Sequence, residues 1–184
     1  ISAKNYPDIV QVGSVVGLDG SQFKDIGLMV GGSPCQDLSI AKKDRKGLGG
    51  ERSGLFWEYV RILNEVRPKY FILENVASMP KGAKAIMTEA LGVEPVMIDA
   101  ALVSAQRRKR LFWVGRRVGD KYETVPISQP KDRWILLRDI LEENPQGFEL
   151  SEKLITGFRN KKGSFRGRFT PIENDEKKSP TLTA

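Results

Sequence analysis

Three groups of residues carry side chains able to do chemistry. The first is Gly31-Gly32-Ser33-Pro34-Cys35-Gln36-Asp37-Leu38-Ser39. It follows an apolar stretch directly, its two glycines predict a sharp backbone turn, and Pro34 stiffens it. Cys35 is the only cysteine among 184 residues. An isolated cysteine is usually a small buried hydrophobe, but this polar, Gly-rich setting points instead to a nucleophilic thiol. The second group is Glu74-Asn75, at the end of the apolar Phe71-Ile72-Leu73. A carboxyl there is either a solvated loop charge or a site residue. The third is Gln106-Arg107-Arg108-Lys109-Arg110, which is either a solvated or phosphate-binding face or part of a site. The chain has no histidine, so acid–base chemistry falls to carboxylates, Lys, Tyr, Cys or water.

These groups need elements to position them. Apolar runs at 8–12, 27–30, 70–73, 95–98 and 111–114 predict strands. Residues 53–66 carry an apolar stripe at helical spacing, with Ser53 as N-cap and Pro68 beyond the end. Residues 83–91 predict a second helix. The alternation implies an α/β fold with a doubly wound, mostly parallel sheet. The last two runs are joined too closely for a helical crossover, which predicts an antiparallel strand at one edge. Cys35, Glu74 and the basic cluster then fall at the carboxyl edge of the sheet, where open α/β sheets bind their ligands. After Gly119 the alternation stops. Short helices are expected at 136–143 and 152–159, and residues 159–168 read RNKKGSFRGR. We therefore divide the chain into a core, 1–118, and a small irregular region, 119–184.

The composition fits such a domain, with 40% hydrophobic and 29% charged residues. The net charge of +7 suits a polyanionic partner as well as it suits a generic basic protein. One cysteine and no histidine exclude an intrachain disulfide and the usual zinc ligands, so no metal is expected. No apolar run is long enough to span a membrane and no signal peptide is visible.

GGSPCQDLS, ENV and QRRKR, in this order and spacing, resemble the cytosine-5 DNA methyltransferases. Arg52-Ser53-Gly54-Leu55-Phe56 looks like a further family motif between the first two. The resemblance covers residues 8 to 117. GGSPCQDLS, VMIDAALVSA and RLFW are similar to the eukaryotic de novo branch, whereas KSPTLTA at the end is similar to many bacterial and phage members.

The resemblance implies a fold of the S-adenosylmethionine-dependent methyltransferase type and the following roles. Cys35 matches the catalytic thiol. Glu74 matches the acid that holds and protonates the pyrimidine ring nitrogen, and Asn75 supports the loop. Arg108 matches the contact to the cytosine carbonyl, and Arg110 the second, structurally placed arginine. Pro34 and Leu55 match residues lining the cofactor pocket. Gly13-Ser14-Val15 matches a segment whose usual Asp binds the adenine amino group, here replaced by Ser14. The family's Gly-rich F-x-G-x-G loop is not found in the sequence. Gln106, Arg166 and Arg168 are expected to touch DNA, with 119–184 as the target recognition region.

The implied cofactor is S-adenosylmethionine, released as S-adenosylhomocysteine, and the implied partner is double-stranded DNA. The expected setting is the cytoplasm of a bacterium, for a bacterial or phage gene, or a nucleus for a eukaryotic one. The readings weighed against this are an RNA (tRNA) cytosine methyltransferase, an inactive DNA-binding regulatory paralogue and a thiol hydrolase. The RNA branch carries a Cys-Phe-Thr signature, for which no second cysteine exists. A regulatory paralogue is expected to lose the thiol or the acid, and both remain. The hydrolase lacks the usual histidine base.

Overall fold

The computed structural model describes residues 2–34, 55–143, 146–147, 150–160 and 177–179. They form two units. One comprises Ile1–Ile98 with Lys109–Gln129, the other Asp99–Arg108 with Pro130–Ala184.

The first unit is built on a five-stranded sheet. The strands are β1 (Leu28–Gly32), β2 (Tyr70–Val76), β3 (Pro95–Asp99), β4 (Lys109–Val118) and β5 (Lys121–Thr124), in the order β1-β2-β4-β3, with β5 also on β4. After a short N-terminal helix, α1 (Ser2–Asn5), the helices of this unit are α2 (Leu55–Val66) and α3 (Lys81–Leu91). β1 and β2 are parallel, with α2 between them in the chain. β4 runs antiparallel to both β2 and β5. The sheet is thus mixed, and the expectation of a mostly parallel sheet with its antiparallel strand at the edge needs correction. β4 is ten residues long, so its backbone has donors and acceptors to satisfy along both sides, and it lies between β2 on one side and β3 and β5 on the other. β3 takes the edge instead.

Leu73 pairs with Gly31 on one side and Trp113 on the other, so these positions share a face. The core lies on it: Phe71, Leu73, Leu111 and Trp113 of the sheet pack with Phe56, Tyr59 and Leu63 of α2 and Ala83, Met87 and Leu91 of α3. The indole N–H of Trp113 donates to Thr88 Oγ1 at 3.0 Å. On the other face, Leu28 and Val30 are 51% and 66% exposed. Gly92, left-handed at φ 68°, ends α3 with its N–H on the carbonyl of Thr88, the usual role of glycine after a helix.

Residues 8–12, expected as a strand, are not one. A turn with Ile9 N–H on Tyr6 O occupies part of the stretch, and Val10 is 82% exposed. Among the described strands none pairs with it, and apolar side chains without a ladder partner leave the backbone groups to water.

In the second unit, the expected helix at 136–143 reduces to a 3-10 turn, Leu137–Ile140. The helix expected at 152–159 is present as α4, Glu152–Asn160.

Candidate functional site

β1 and β2 run side by side, so Gly32 lies opposite Glu74. The Glu74 carboxylate sits on the strand face shared with Gly32, and a Cβ added at Gly32 would stand 3.3 Å from Glu74 Oε2. Arg110, at the start of β4, pairs with Val76 in the register. That puts its side chain diagonally across from Glu74 on the same face. Arg110 Nε reaches Glu74 Oε1 at 2.6 Å; the arginine side chain is 16% exposed and the carboxylate 39%. Arg110 also donates to the carbonyl of Lys109 at 3.0 Å. One carboxylate oxygen is thus oriented by a guanidinium, while Glu74 stays open enough to meet a ligand.

Asn75 points to the opposite, covered face and is 1% exposed. Its Nδ2 donates to Ser33 Oγ at 2.8 Å and to Ser33 O at 3.4 Å, and its Oδ1 accepts from Val76 N–H at 2.8 Å. A buried amide with both ends satisfied fixes what it touches. Here it fixes Ser33, two residues before Cys35. Cys35 itself lies outside the described residues, as do Arg166 and Arg168.

Gly31 and Gly32 belong to β1 and not to a sharp turn, which corrects the expectation above. Their value is lack of bulk. A Cβ on Gly31 would lie 2.6 Å from the Tyr59 ring, so only glycine lets α2 pack this closely. Tyr59 OH donates to Ile72 O at 3.1 Å, and burial raises its pKa.

Pro34 and Leu55, the candidate cofactor contacts, are both half-buried. Ser14 and Val15 lie on an exposed segment, where Ser14 Oγ accepts from Val16 N–H at 3.2 Å. Sequence reasoning missed what anchors this segment. Arg61 of α2 donates to the carbonyls of Leu18 (2.7 Å) and Val15 (3.0 Å), and Glu65 Oε2 accepts from Gly20 N–H at 2.7 Å. Glu58 and Glu65 flank Arg61 at 2.7 and 2.8 Å. Only the i, i+3 and i, i+4 spacing of these charges was visible in the sequence, and such spacing ordinarily marks a solvated helix face.

Arg108 and Gln106 belong to the second unit and are placed only within it. The Arg108 backbone is tied down, its N–H to Asp99 Oδ1 at 2.8 Å and its carbonyl to Ala100 N–H at 3.2 Å. The Arg108 side chain is exposed. Gln106 is half-buried and bridged to Ser179.

A cavity of about 410 Å³ in the first unit lies at the other end of the sheet, lined among others by Lys24, Glu65, Arg67, Lys69 and Arg117. It holds none of the candidate catalytic, cofactor-binding or DNA-binding residues. Among the described residues no cluster of three metal-binding side chains occurs, and no helix is long and apolar enough to cross a membrane.

The model of the C-5 cytosine-specific DNA methylases matches residues 3–179, nearly the whole chain. The chain belongs to that family. Among its relatives, the orphan methyltransferase M.SPRI of Bacillus phage SPR is 35% identical over 123 residues, covering 61% of this chain and 28% of the relative. The type II methyltransferase M.Sau3AI of Staphylococcus aureus is 33% identical over 131 residues, covering 63% and 32%. The type II methyltransferase M1.ScrFI of Lactococcus lactis subsp. cremoris is 32% identical over 193 residues, covering 94% and 49%. The chain thus spans between about a quarter and a half of the length of these relatives.

Proposed function

We propose that this member of the family transfers a methyl group to carbon 5 of cytosine in double-stranded DNA through a covalent adduct with Cys35. The observation that carries the reading is the joint placement of Glu74 and Ser33 at the carboxyl ends of two parallel strands. There Arg110 orients the acid and Asn75 holds the approach to the thiol. The parallel β1–α2–β2 unit also supports the doubly wound methyltransferase sheet implied by the motifs.

The chemistry follows from the groups. Carbon 5 of cytosine is a poor nucleophile. The Cys35 thiolate adds to carbon 6, forming an S–C6 bond, and the C5–C6 π electrons move into the ring. That divides one hard step into easier ones. Glu74 gives a proton to the ring nitrogen as negative charge develops there. Arg108 holds the ring carbonyl and fixes the pyrimidine. Once carbon 5 carries the methyl group, loss of its proton to a base returns an electron pair, the S–C6 bond breaks and the thiolate is regenerated, while the ring nitrogen gives its proton back to Glu74. The target base has to leave the duplex stack for any of this to occur.

The methyl donor we propose is S-adenosylmethionine, and the residues fit it. Ser14 Oγ accepts one hydrogen bond, which leaves a lone pair and a proton for adenine. The half-buried Pro34 and Leu55, with Val15, offer apolar surface. When bound, the cofactor supplies the methyl group to carbon 5.

We assign target recognition to 119–184, with Gln106, Arg166 and Arg168 on the DNA. In this assignment Lys121–Thr124 continues the sheet as β5. Action beside bacterial or phage DNA is in keeping with the sources of the relatives.

The test is DNA carrying 5-fluorocytosine. Fluorine cannot leave as a proton, so the cycle stalls with the base attached to the protein. Cys35→Ser abolishes both methylation and the adduct, because a hydroxyl is hardly ionised near neutral pH. Glu74→Gln slows turnover less. An adduct mapped by mass spectrometry to any residue other than Cys35 would falsify the assignment.

A further inference from the structure

The 99–108 loop ends in Arg108 and is closed at its neck by Asp99. Asp99 Oδ1 accepts the N–H groups of both Ala101 (3.1 Å) and Arg108 (2.8 Å). Two residues some seventy positions further along the chain hold the rest of it. Ser179 N–H donates to Ala105 O at 2.6 Å, and Arg107 N–H donates to Ser179 O at 2.8 Å, forming a one-residue parallel bridge at Gln106. The neighbouring Lys178 turns inward, its side chain 13% exposed. Its Nζ donates to Ala101 O, to Ser104 O at 3.3 Å and to Ile135 O at 3.2 Å, and pairs with Asp132 at 3.4 Å. An ammonium group has three protons and no acceptor, and here four oxygens surround it. Two of the carbonyls belong to the loop itself. Taking a lysine out of water is costly unless it is fully paired, so this arrangement favours one conformation of the loop over looser ones.

The side chain of Arg108, in contrast, makes no hydrogen bond or ion pair among the described residues and is exposed. Its backbone is fixed while its guanidinium is left for something else. We propose that Lys178 is a positioning residue for the methyl-transfer reaction, locking the 99–108 loop so that Arg108 is presented to the pyrimidine carbonyl. This rests on the role given to Arg108 above. It adds that the segment at 177–179 is needed in order to set that arginine.

Three variants of the intact protein test it: Lys178→Met, Arg108→Ala and the pair together, with Lys178→Gln as a neutral donor-bearing substitute should Lys178→Met lose its cooperative unfolding transition. Lys178→Met is expected to lower kcat by on the order of 10- to 100-fold, the cost of a misplaced positioning group, while KM for DNA changes by less than about threefold. In the Arg108→Ala background the same substitution is expected to cost almost nothing more, because the group it positions is gone. Full additivity in the double variant, or an unchanged kcat in Lys178→Met, overturns the proposal and leaves the role of Arg108 standing. A fully active Arg108→Ala protein removes that role, and the proposal with it.

Discussion

Glu74 and Gly31 show how much depends on single positions. The Arg110 guanidinium fixes one oxygen of Glu74, and Gly32 leaves room beside the other. Gly31 keeps α2 against β1, because any Cβ there meets the Tyr59 ring. Gly31→Ala is therefore expected to lower the stability of the chain by about 1–3 kcal/mol, the usual cost of overpacking, seen as an earlier urea midpoint; an unchanged midpoint would show that α2 yields freely. At Ser14 the expected effect is a gain. A carboxylate accepts a stronger hydrogen bond than a hydroxyl by about 1 kcal/mol, so Ser14→Asp should tighten S-adenosylmethionine binding roughly fivefold by calorimetric titration. Equal or weaker binding would remove Ser14 from the adenine site. The placement of Glu74, Asn75 and Arg110 was legible because motif order and strand ends together determine it. The purpose of the glycines was not, since a glycine in sequence does not say whether it serves a turn or a close contact.

The segment carrying Ser14 and Val15 is held to α2 by Arg61 and Glu65. Hydrogen bonds from Arg61, then from the Gly20 backbone, lower the Glu65 pKa from its ordinary value of 4.5. Asp19 next to it is lowered too, chiefly by Ser21. A depressed carboxyl pKa contributes stability above the unfolded value, and that contribution is lost as pH falls through the folded one. The strap is therefore expected to loosen below about pH 4.5, and amides at 15–20 should exchange with solvent faster there. Arg61→Ala should show that fast exchange already at neutral pH; slow exchange in the variant would mean that the strap is held by other groups. Tyr59 has the opposite sign. Its raised pKa supports the fold below the unfolded value of 10.0 and withdraws that support as pH climbs above it. At this scale the helices were legible from their apolar stripes, and four of the five expected strands are present. Neither the strap nor the interior position of β4 could be read. Both depend on partners remote in sequence, whereas periodicity reports only the neighbours along an element.

In the proposed function, the net charge of +7 would add a salt-dependent component to the hold on DNA. If Arg166 and Arg168 each neutralise a phosphate, replacing both by Ala should flatten the plot of log affinity against log salt by about two. An unchanged slope would take them off the backbone. The grouping of Asp99–Arg108 with the distant Pro130–Ala184 could not be read, because no composition shift marks such an excursion. The Lys178 and Ser179 contacts to that loop also bear on the order of events during synthesis. They join residues some seventy positions apart, and contacts of such separation are slow to form. At the usual 5–20 residues per second the ribosome makes the loop roughly 4–14 s before it makes the residues that fasten it. The nascent chain therefore carries Arg108 on an unfastened loop for that interval, so that, on the role proposed for Arg108, the loop is not set to hold a pyrimidine until Lys178 and Ser179 have been made.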